Sequence, residues 1–374
     1  MKKWFVWIVT AAICLSLFAG CTTQAPAVTQ TAATPSTAKT APASAAPTLA
    51  STAAPSPSPE PAFNLTAQIE EQILYDEGGI VVKALSLKTA EVENEHGKFT
   101  LLGLICSIEN HSDTTITPKL FTIAINGLVT SDYAATTMSD EAAYEGATKS
   151  WFEPGEEATC AFTLASIKDP TNFDIPLVDM GVTDVANVSF DLALTDPDSD
   201  EWNNFIAIKP VSINTSIAQG YTQSKPDDQS QVIYDENGIR ILCLGLSDLD
   251  GNASPEYNEQ FWSSVDLYIE NNTTENIAVE MAEEENIVYV NGVACQWLFG
   301  AGWLSPVGDL RPGTGAFTRI KLYKMHYDDH FDVSAGTLHE LKCSFIVRPM
   351  DYIPYSGTED TILVQTPELT MTFE

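Results

Sequence analysis

The stretch LLGLICSIENHSDTTI, residues 101–116, places Leu102, Leu104, Cys106 and Ile108 two apart. A period of two belongs to a strand, because successive side chains leave a pleated chain on opposite faces. The alternation stops at Glu109-Asn110 and gives way to Ser, Asp and Thr, residues that suit a polar turn. Residues 268–277, YIENNTTENI, repeat the pattern of 107–116.

The sequence on either side of this pair falls into two copies. QILYDEGGIVVKALSL (72–87) aligns without a gap on QVIYDENGIRILCLGL (231–246). IAINGLVTS (123–131) matches VYVNGVACQ (288–296), and EPGEEATCAFTL (153–164) matches RPGTGAFTRIKL (311–322). NVSFDLAL (187–194) matches KCSFIVRP (342–349), and FIAIKPVSINT (205–215) matches TILVQTPELTM (361–371), with Pro210 on Pro367. The order is colinear, so the chain holds two units, about 72–215 and 231–374, each near common domain size.

Each unit alternates throughout. Cys160, Phe162 and Leu164 share one parity; Thr318, Ile320 and Leu322 oppose Arg319 and Lys321. This predicts antiparallel sheet with one face in water. Asn126-Gly127 and Asn291-Gly292 sit between alternating runs, the signature of a tight hairpin, since a type I′ turn needs positive φ twice. Pro154-Gly155 and Pro312-Gly313 mark turns before the next strand. The one helical expectation is a turn or two over Leu65 to Ile73. The fold class expected is all-β: two tandem immunoglobulin-like antiparallel β-sandwiches, at 63–216 and 231–374, joined by 217–230.

Ahead of them lie two segments of different character. Met1-Lys2-Lys3 followed by the apolar run Trp4 to Phe18 has the size of a signal-peptide core and is short for a membrane span. Ala19-Gly20-Cys21 follows, with Phe18 where Leu is usual. These residues resemble the lipobox of bacterial lipoproteins. The resemblance implies a signal peptide at 1–20, cleavage before Cys21 and a diacylglycerol on its thiol. It places the protein on the outer face of the bacterial cytoplasmic membrane, held there through lipid. Residues 21–62 are almost wholly Thr, Ala, Pro and Ser. They offer nothing to offset ordering entropy and predict a disordered tether, roughly 35 Å across as a coil and up to about 120 Å if extended. The tandem units, with Ile-Glu-Asn turns at Ile108 to His111 and Ile269 to Asn272, resemble the uncharacterised immunoglobulin-like modules of Gram-positive surface lipoproteins. That resemblance brings no catalytic residues with it.

Charge and chemistry narrow the function classes. Lys and Arg number 18 against 51 Asp and Glu, a formal net charge of −33. Phosphate backbones repel such a chain, which argues against nucleic-acid partners. Of the 7 Cys, Cys106 and Cys160 share the inward parity of their strands, where either a bridge between facing sheets or two small buried hydrophobes fits. DLDGNASPEYNE (248–259) spaces Asp248, Asp250, Asn252, Glu256 and Glu259 as an EF-hand spaces its oxygen ligands. Ala253 stands at the glycine position, so an ordinary acidic loop fits as well as Ca²⁺. Asp196, Asp198 and Asp200 form a weaker alternation, and His326 and His330 a His-x₃-His pair in a loop context. Trp297, Phe299 and Trp303 lie among glycines and suit either a sugar platform or a sandwich core. No nucleophile motif accompanies them. The expected function is a lipid-anchored extracellular binding or adhesion module without catalysis, contacting cell-wall glycan or an envelope protein. The alternatives are a spacer or accessory subunit of an envelope complex, and a calcium- or carbohydrate-binding surface protein.

Overall fold

The computed structural model describes residues 62–94, 97–131, 135–136, 149–169, 175–197, 205–247, 261–282, 287–296, 304–305, 309–323, 338–350 and 361–373. The first repeat supplies β1 (Gln72–Glu77), β2 (Ile80–Asn94), β3 (Gly97–Asn110), β4 (Thr117–Ile125), β5 (Leu128–Ser131), β6 (Ala135–Thr136), β7 (Glu157–Lys168), β8 (Asn187–Thr195) and β9 (Phe205–Asn214). The second supplies β10 (Val232–Glu236), β11 (Ile239–Ser247), β12 (Phe261–Asn271), β13 (Ile277–Met281), β14 (Ile287–Val290), β15 (Val293–Gln296), β16 (Leu304–Ser305), β17 (Asp309–Leu310), β18 (Gly315–Tyr323), β19 (Glu340–Cys343), β20 (Phe345–Pro349), β21 (Val364–Gln365) and β22 (Leu369–Thr372). Within each repeat, every strand pairing is antiparallel.

In the first repeat, β1-β2-β3-β7 faces a layer made of β5-β4-β8-β9. Between them lies a core that includes Leu102, Leu104, Cys106, Ile108, Ile123, Ile125, Phe162, Phe190 and Ile213. The second repeat builds the same β-sandwich with β10-β11-β12-β18 as one layer. Its other layer is split into β15-β14-β19-β22 and β17-β13-β20-β21. The split falls where Pro367 interrupts the last strand. Beside it the Thr366 hydroxyl, rather than a ladder carbonyl, accepts the Phe345 amide at 2.9 Å.

The inward parity read from sequence holds in the described strands, but the opposite face of β2, β3 and β7 is not wet throughout, since Ala90, Ile105 and Ala161 are buried there in a cluster of their own with Leu85. Leu102, Leu104, Cys106 and Ile108 all point into the core, as do Cys160, Phe162 and Leu164. Both Asn-Gly hairpins adopt the expected turn, with φ of 54° and 80° at Asn126 and Gly127 and 51° and 77° at Asn291 and Gly292. The helical expectation for Leu65 to Ile73 is overturned. Residues 62–71 carry no regular element, β1 starts at Gln72, and Phe63, Leu65, Ala67 and Ile69 meet the core at a period of two. Asp184 holds this segment, accepting from the amides of Thr66 and Ala67 and from the Thr66 hydroxyl.

Among the described residues, one strand pairing crosses between the repeats. The edge strand β18 pairs in parallel with β5, Gly315 opposite Leu128 and Ala316 opposite Val129. A single sheet therefore runs β10-β11-β12-β18-β5-β4-β8-β9. Its two halves bury opposite faces. Ile123, Ile125 and Leu128 enter the first core, whereas Ala124 and Val129 enter the second. Conversely Ile241, Leu267 and Ile269 enter the second core, whereas Leu242 and Tyr268 enter the first.

The far edge of this sheet, β9, is guarded. Thr215 donates its amide to Ala186 at 2.9 Å beside the Asn187–Asn214 pair, so that rung is of the non-hydrogen-bonded kind. Counting along the unbroken register, the Asp191–Pro210 rung is of the same kind. The missing amide hydrogen of Pro210 thus faces the open edge. It takes nothing from the ladder and removes a donor that another strand would need. Lys209, at an inward position, turns its ammonium over Tyr75, 5.9 Å from the ring centroid.

Candidate functional site

The most elaborate chemistry among the described residues lies at the turn end of each repeat. Strand β3 ends in Asn110, which is fully buried. Its Nδ2 donates to the carbonyls of Thr114 at 2.8 Å and Phe152 at 2.9 Å, and its Oδ1 accepts from the Ser112 amide and hydroxyl. Asn271, at the end of β12, repeats this with Glu275, Leu310 and Thr273. The Pro-Gly turns dock on the same asparagines: Gly155 donates to Asn110 O at 2.6 Å and Gly313 to Asn271 O at 2.7 Å. Two motifs that look independent in sequence, Glu-Asn and Pro-Gly, are thus one clamp. A third turn joins them, since Gly79 O accepts from His111 N and Gly238 O from Asn272 N, each at 2.7 Å.

In the second repeat this end is the joint. Gly315 donates its amide to Gly127 O at 2.9 Å, at the first repeat's Asn-Gly hairpin. Four residues earlier, Arg311 Nη2 meets Asp191 Oδ2 at 2.5 Å, with side chains 13% and 6% exposed. A Cβ on Gly315 would run into the Tyr268 ring, whose hydroxyl donates to Glu270 Oε1 at 3.3 Å. Arg240 and Lys225 also reach Glu270, at 3.5 and 3.3 Å. Burial and the neighbouring Glu270 carboxylate push the Tyr268 hydroxyl pKa upward. The face expected to be wet is covered here: Arg319 is 8% exposed and pairs with Asp266 at 3.0 Å. The reason is tertiary, since the first repeat's core packs on Leu242, Tyr268 and Phe317 from that side. The join 217–230 lies against both repeats, Gln223 taking a bond from Asn126 at 3.2 Å and Lys225 pairing with Glu270.

In the first repeat no described strand pairs at the equivalent end. Thr314, Gly315 and Ala316 are buried, whereas their counterparts Glu156, Glu157 and Ala158 are exposed or partly so. Trp151 is 54% exposed, while the adjacent Phe152 is fully buried in the core. Lys149 holds Glu156 at 2.6 Å, and that hydrogen bond, with the Glu153 amide, lowers the Glu156 carboxyl pKa. Lys83 does the same for Glu109 at 2.6 Å.

Cys21, the calcium candidates Asp248, Asp250, Asn252, Glu256 and Glu259, and the sugar-platform candidates Trp297, Phe299 and Trp303 lie outside the described residues. So do His326, His330, Asp198 and Asp200. Among the described residues no three His, Cys, Asp or Glu gather as a metal site. Cys106 and Cys160 are free thiols and do not sit on facing sheets; they are directly opposed on the neighbouring strands β3 and β7. Asn110 N donates to Glu156 O at 2.8 Å, which makes Glu109–Glu157 a non-hydrogen-bonded rung and Cys106–Cys160 a hydrogen-bonded one. Such a rung holds the Cβ atoms wider apart than a disulfide prefers. Burial raises both thiol pKa values, that of Cys160 to about 12, and keeps them protonated. Sequence reasoning missed the Asp191–Arg311 pair. No local pattern signals it, because its partners lie in different repeats.

No family model and no curated protein matches the chain.

Proposed function

We propose that this chain is a lipid-anchored extracellular binding or adhesion module without catalytic activity. In this reading Cys21 is the acylated anchor after removal of 1–20, residues 21–62 are the tether, and immunoglobulin-like sandwiches at 63–216 and 231–374 carry recognition of an envelope glycan or protein. The observation that carries it is the shared sheet across the β18–β5 joint. It holds turns from both repeats in one fixed array, which suits recognition by a surface. The strongest chemical groups described, Asp191, Arg311, Glu270, Arg240 and the buried thiols, are engaged in that architecture. Binding of the mature chain to peptidoglycan, wall polysaccharide and purified envelope proteins tests the reading. Saturable binding to one class is expected, and no binding to any would end it. Cys21→Ala should move the protein from membrane to soluble fractions; unchanged fractionation would refute the anchor.

A spacer role within an envelope complex is the second reading, favoured by the way Gln223 and Lys225 tie the join to both repeats. It requires a stoichiometric partner in native pull-down. Calorimetry with Ca²⁺ on the mature chain tests the calcium variant, and a flat titration removes it.

A further inference from the structure

We propose that the turn end of the first repeat, built by Trp151, Glu153 and Glu157, is a docking edge for an extended, basic segment of another protein. The proposal names a surface for the binding reading above and rests on it.

The internal duplication supplies the precedent. The corresponding end of the second repeat already receives a strand, β5. In that joint Asn271 N donates to Thr314 O at 3.0 Å, which makes Glu270–Gly315 a non-hydrogen-bonded rung. Gly315 N–H therefore points off the sheet edge, where Gly127 O accepts it. Glu157 is the aligned residue of the first repeat. Asn110 N donates to Glu156 O at 2.8 Å in the same way, so Glu109–Glu157 is the same kind of rung and the Glu157 amide also points off the edge. Strand β7 is terminal in its sheet, and among the described residues no strand pairs with it at Glu157 or Ala158.

The side chains decide what fits. At the joint, Arg311 crosses to Asp191. Its aligned counterpart is Glu153, which is exposed, so the sign is reversed and the complement is a basic group. Trp151 is 54% exposed and offers apolar area beside it, on which an aliphatic stem or a cation packs well. A second copy of this chain does not meet the requirement. The residue aligned with Asp191 in the second repeat is Ile346, and two chains of net charge −33 repel. The occupant is therefore a different, cationic chain adding a short strand in the manner of β-augmentation.

The probe is a labelled peptide of alternating Lys and Val, with alternating Glu and Val as its counterpart, titrated by fluorescence anisotropy into the full mature chain at about 0.15 M salt. The Lys-Val peptide is expected to bind and the Glu-Val peptide not. Glu153→Lys with Glu157→Lys should weaken binding by about tenfold or more. Glu91→Lys with Glu93→Lys, the same charge change at the far end of the sheet, should leave it within about twofold. Exchange of the Glu157 amide should slow when the peptide is added. Equal weakening by both double variants, no binding, or an unprotected Glu157 amide would each overturn the proposal. The assay uses neither lipid nor wall material, so its failure leaves the wider screen untouched, and a barren screen leaves this edge testable.

Discussion

Arg311 reaches back to Asp191 in the other repeat, Nη2 to Oδ2 at 2.5 Å, in a site where both side chains are largely buried. The same guanidinium leans on Phe121 O at 3.5 Å, while its Nε finds no partner among the described residues. Removing one member of such a pair strands the other charge in a poor solvent. Arg311→Ala is expected to lower stability by about 3–5 kcal/mol. Replacing both members with apolar residues of similar volume should recover most of that loss. Urea unfolding of the single and double variants checks this; equal stability of Arg311→Ala and the parent would show that the joint does not depend on the pair.

Asn110 and Asn271 each satisfy two carbonyls and accept two donors inside a clamp. Asn110→Ala takes one of two donors from the Phe152 carbonyl, which keeps the Ile116 amide at 3.0 Å, removes the amide donor of the Thr114 carbonyl, and frees the Ser112 amide and hydroxyl from Oδ1. A loss of about 2–4 kcal/mol is expected for either Asn→Ala change. Asn→Asp keeps the acceptor oxygen and loses both donated bonds, so it should be comparably harmful. Thermal unfolding of the four variants reads this, and a mild effect of Asn→Asp would mean that the accepted bonds alone hold the turn.

Thr318 is fully buried and its hydroxyl has no hydrogen-bond partner among the described residues. Val has nearly the same shape and no hydroxyl to desolvate. Thr318→Val should therefore raise stability, by about 1 kcal/mol. A drop in the urea midpoint would show that the hydroxyl has a partner in solution.

The acid limb of stability should carry the mark of Glu109. The hydrogen bond from Lys83 holds its carboxyl pKa below the ordinary 4.5, and the Lys83 ammonium is correspondingly raised. A depressed carboxyl favours the fold fully above about pH 4.5 and loses that favour as the pH falls through the lower folded value. Glu109→Gln should flatten the fall in Tm below pH 4.5. A parallel fall in the variant would assign the acid limb to other carboxylates.

The alternation, the hairpins and the duplication were legible in the sequence because each is local. An inward parity at Leu102, Leu104, Cys106 and Ile108 needs only the pleat, and Asn126-Gly127 needs only the φ values of two residues. Local signals misled where neighbours decided. Leu65 to Ile73 has enough apolar residues for a helical turn, yet Asp184 holds it extended, 117 residues away from Ala67. Cys106 and Cys160 have the right parity, but parity does not say which strands are adjacent.

Local pattern alone sets out two β-sandwiches built on one repeated set of turns. Long-range packing settles that β18 continues the first repeat's sheet, that Arg311 finds Asp191, and that Gly315 makes room for Tyr268. The difference is one of range. Strand pattern and turn chemistry act over a few residues, whereas a sheet edge can accept any strand of suitable shape, and the choice among them is made by side chains that meet only when both repeats are folded.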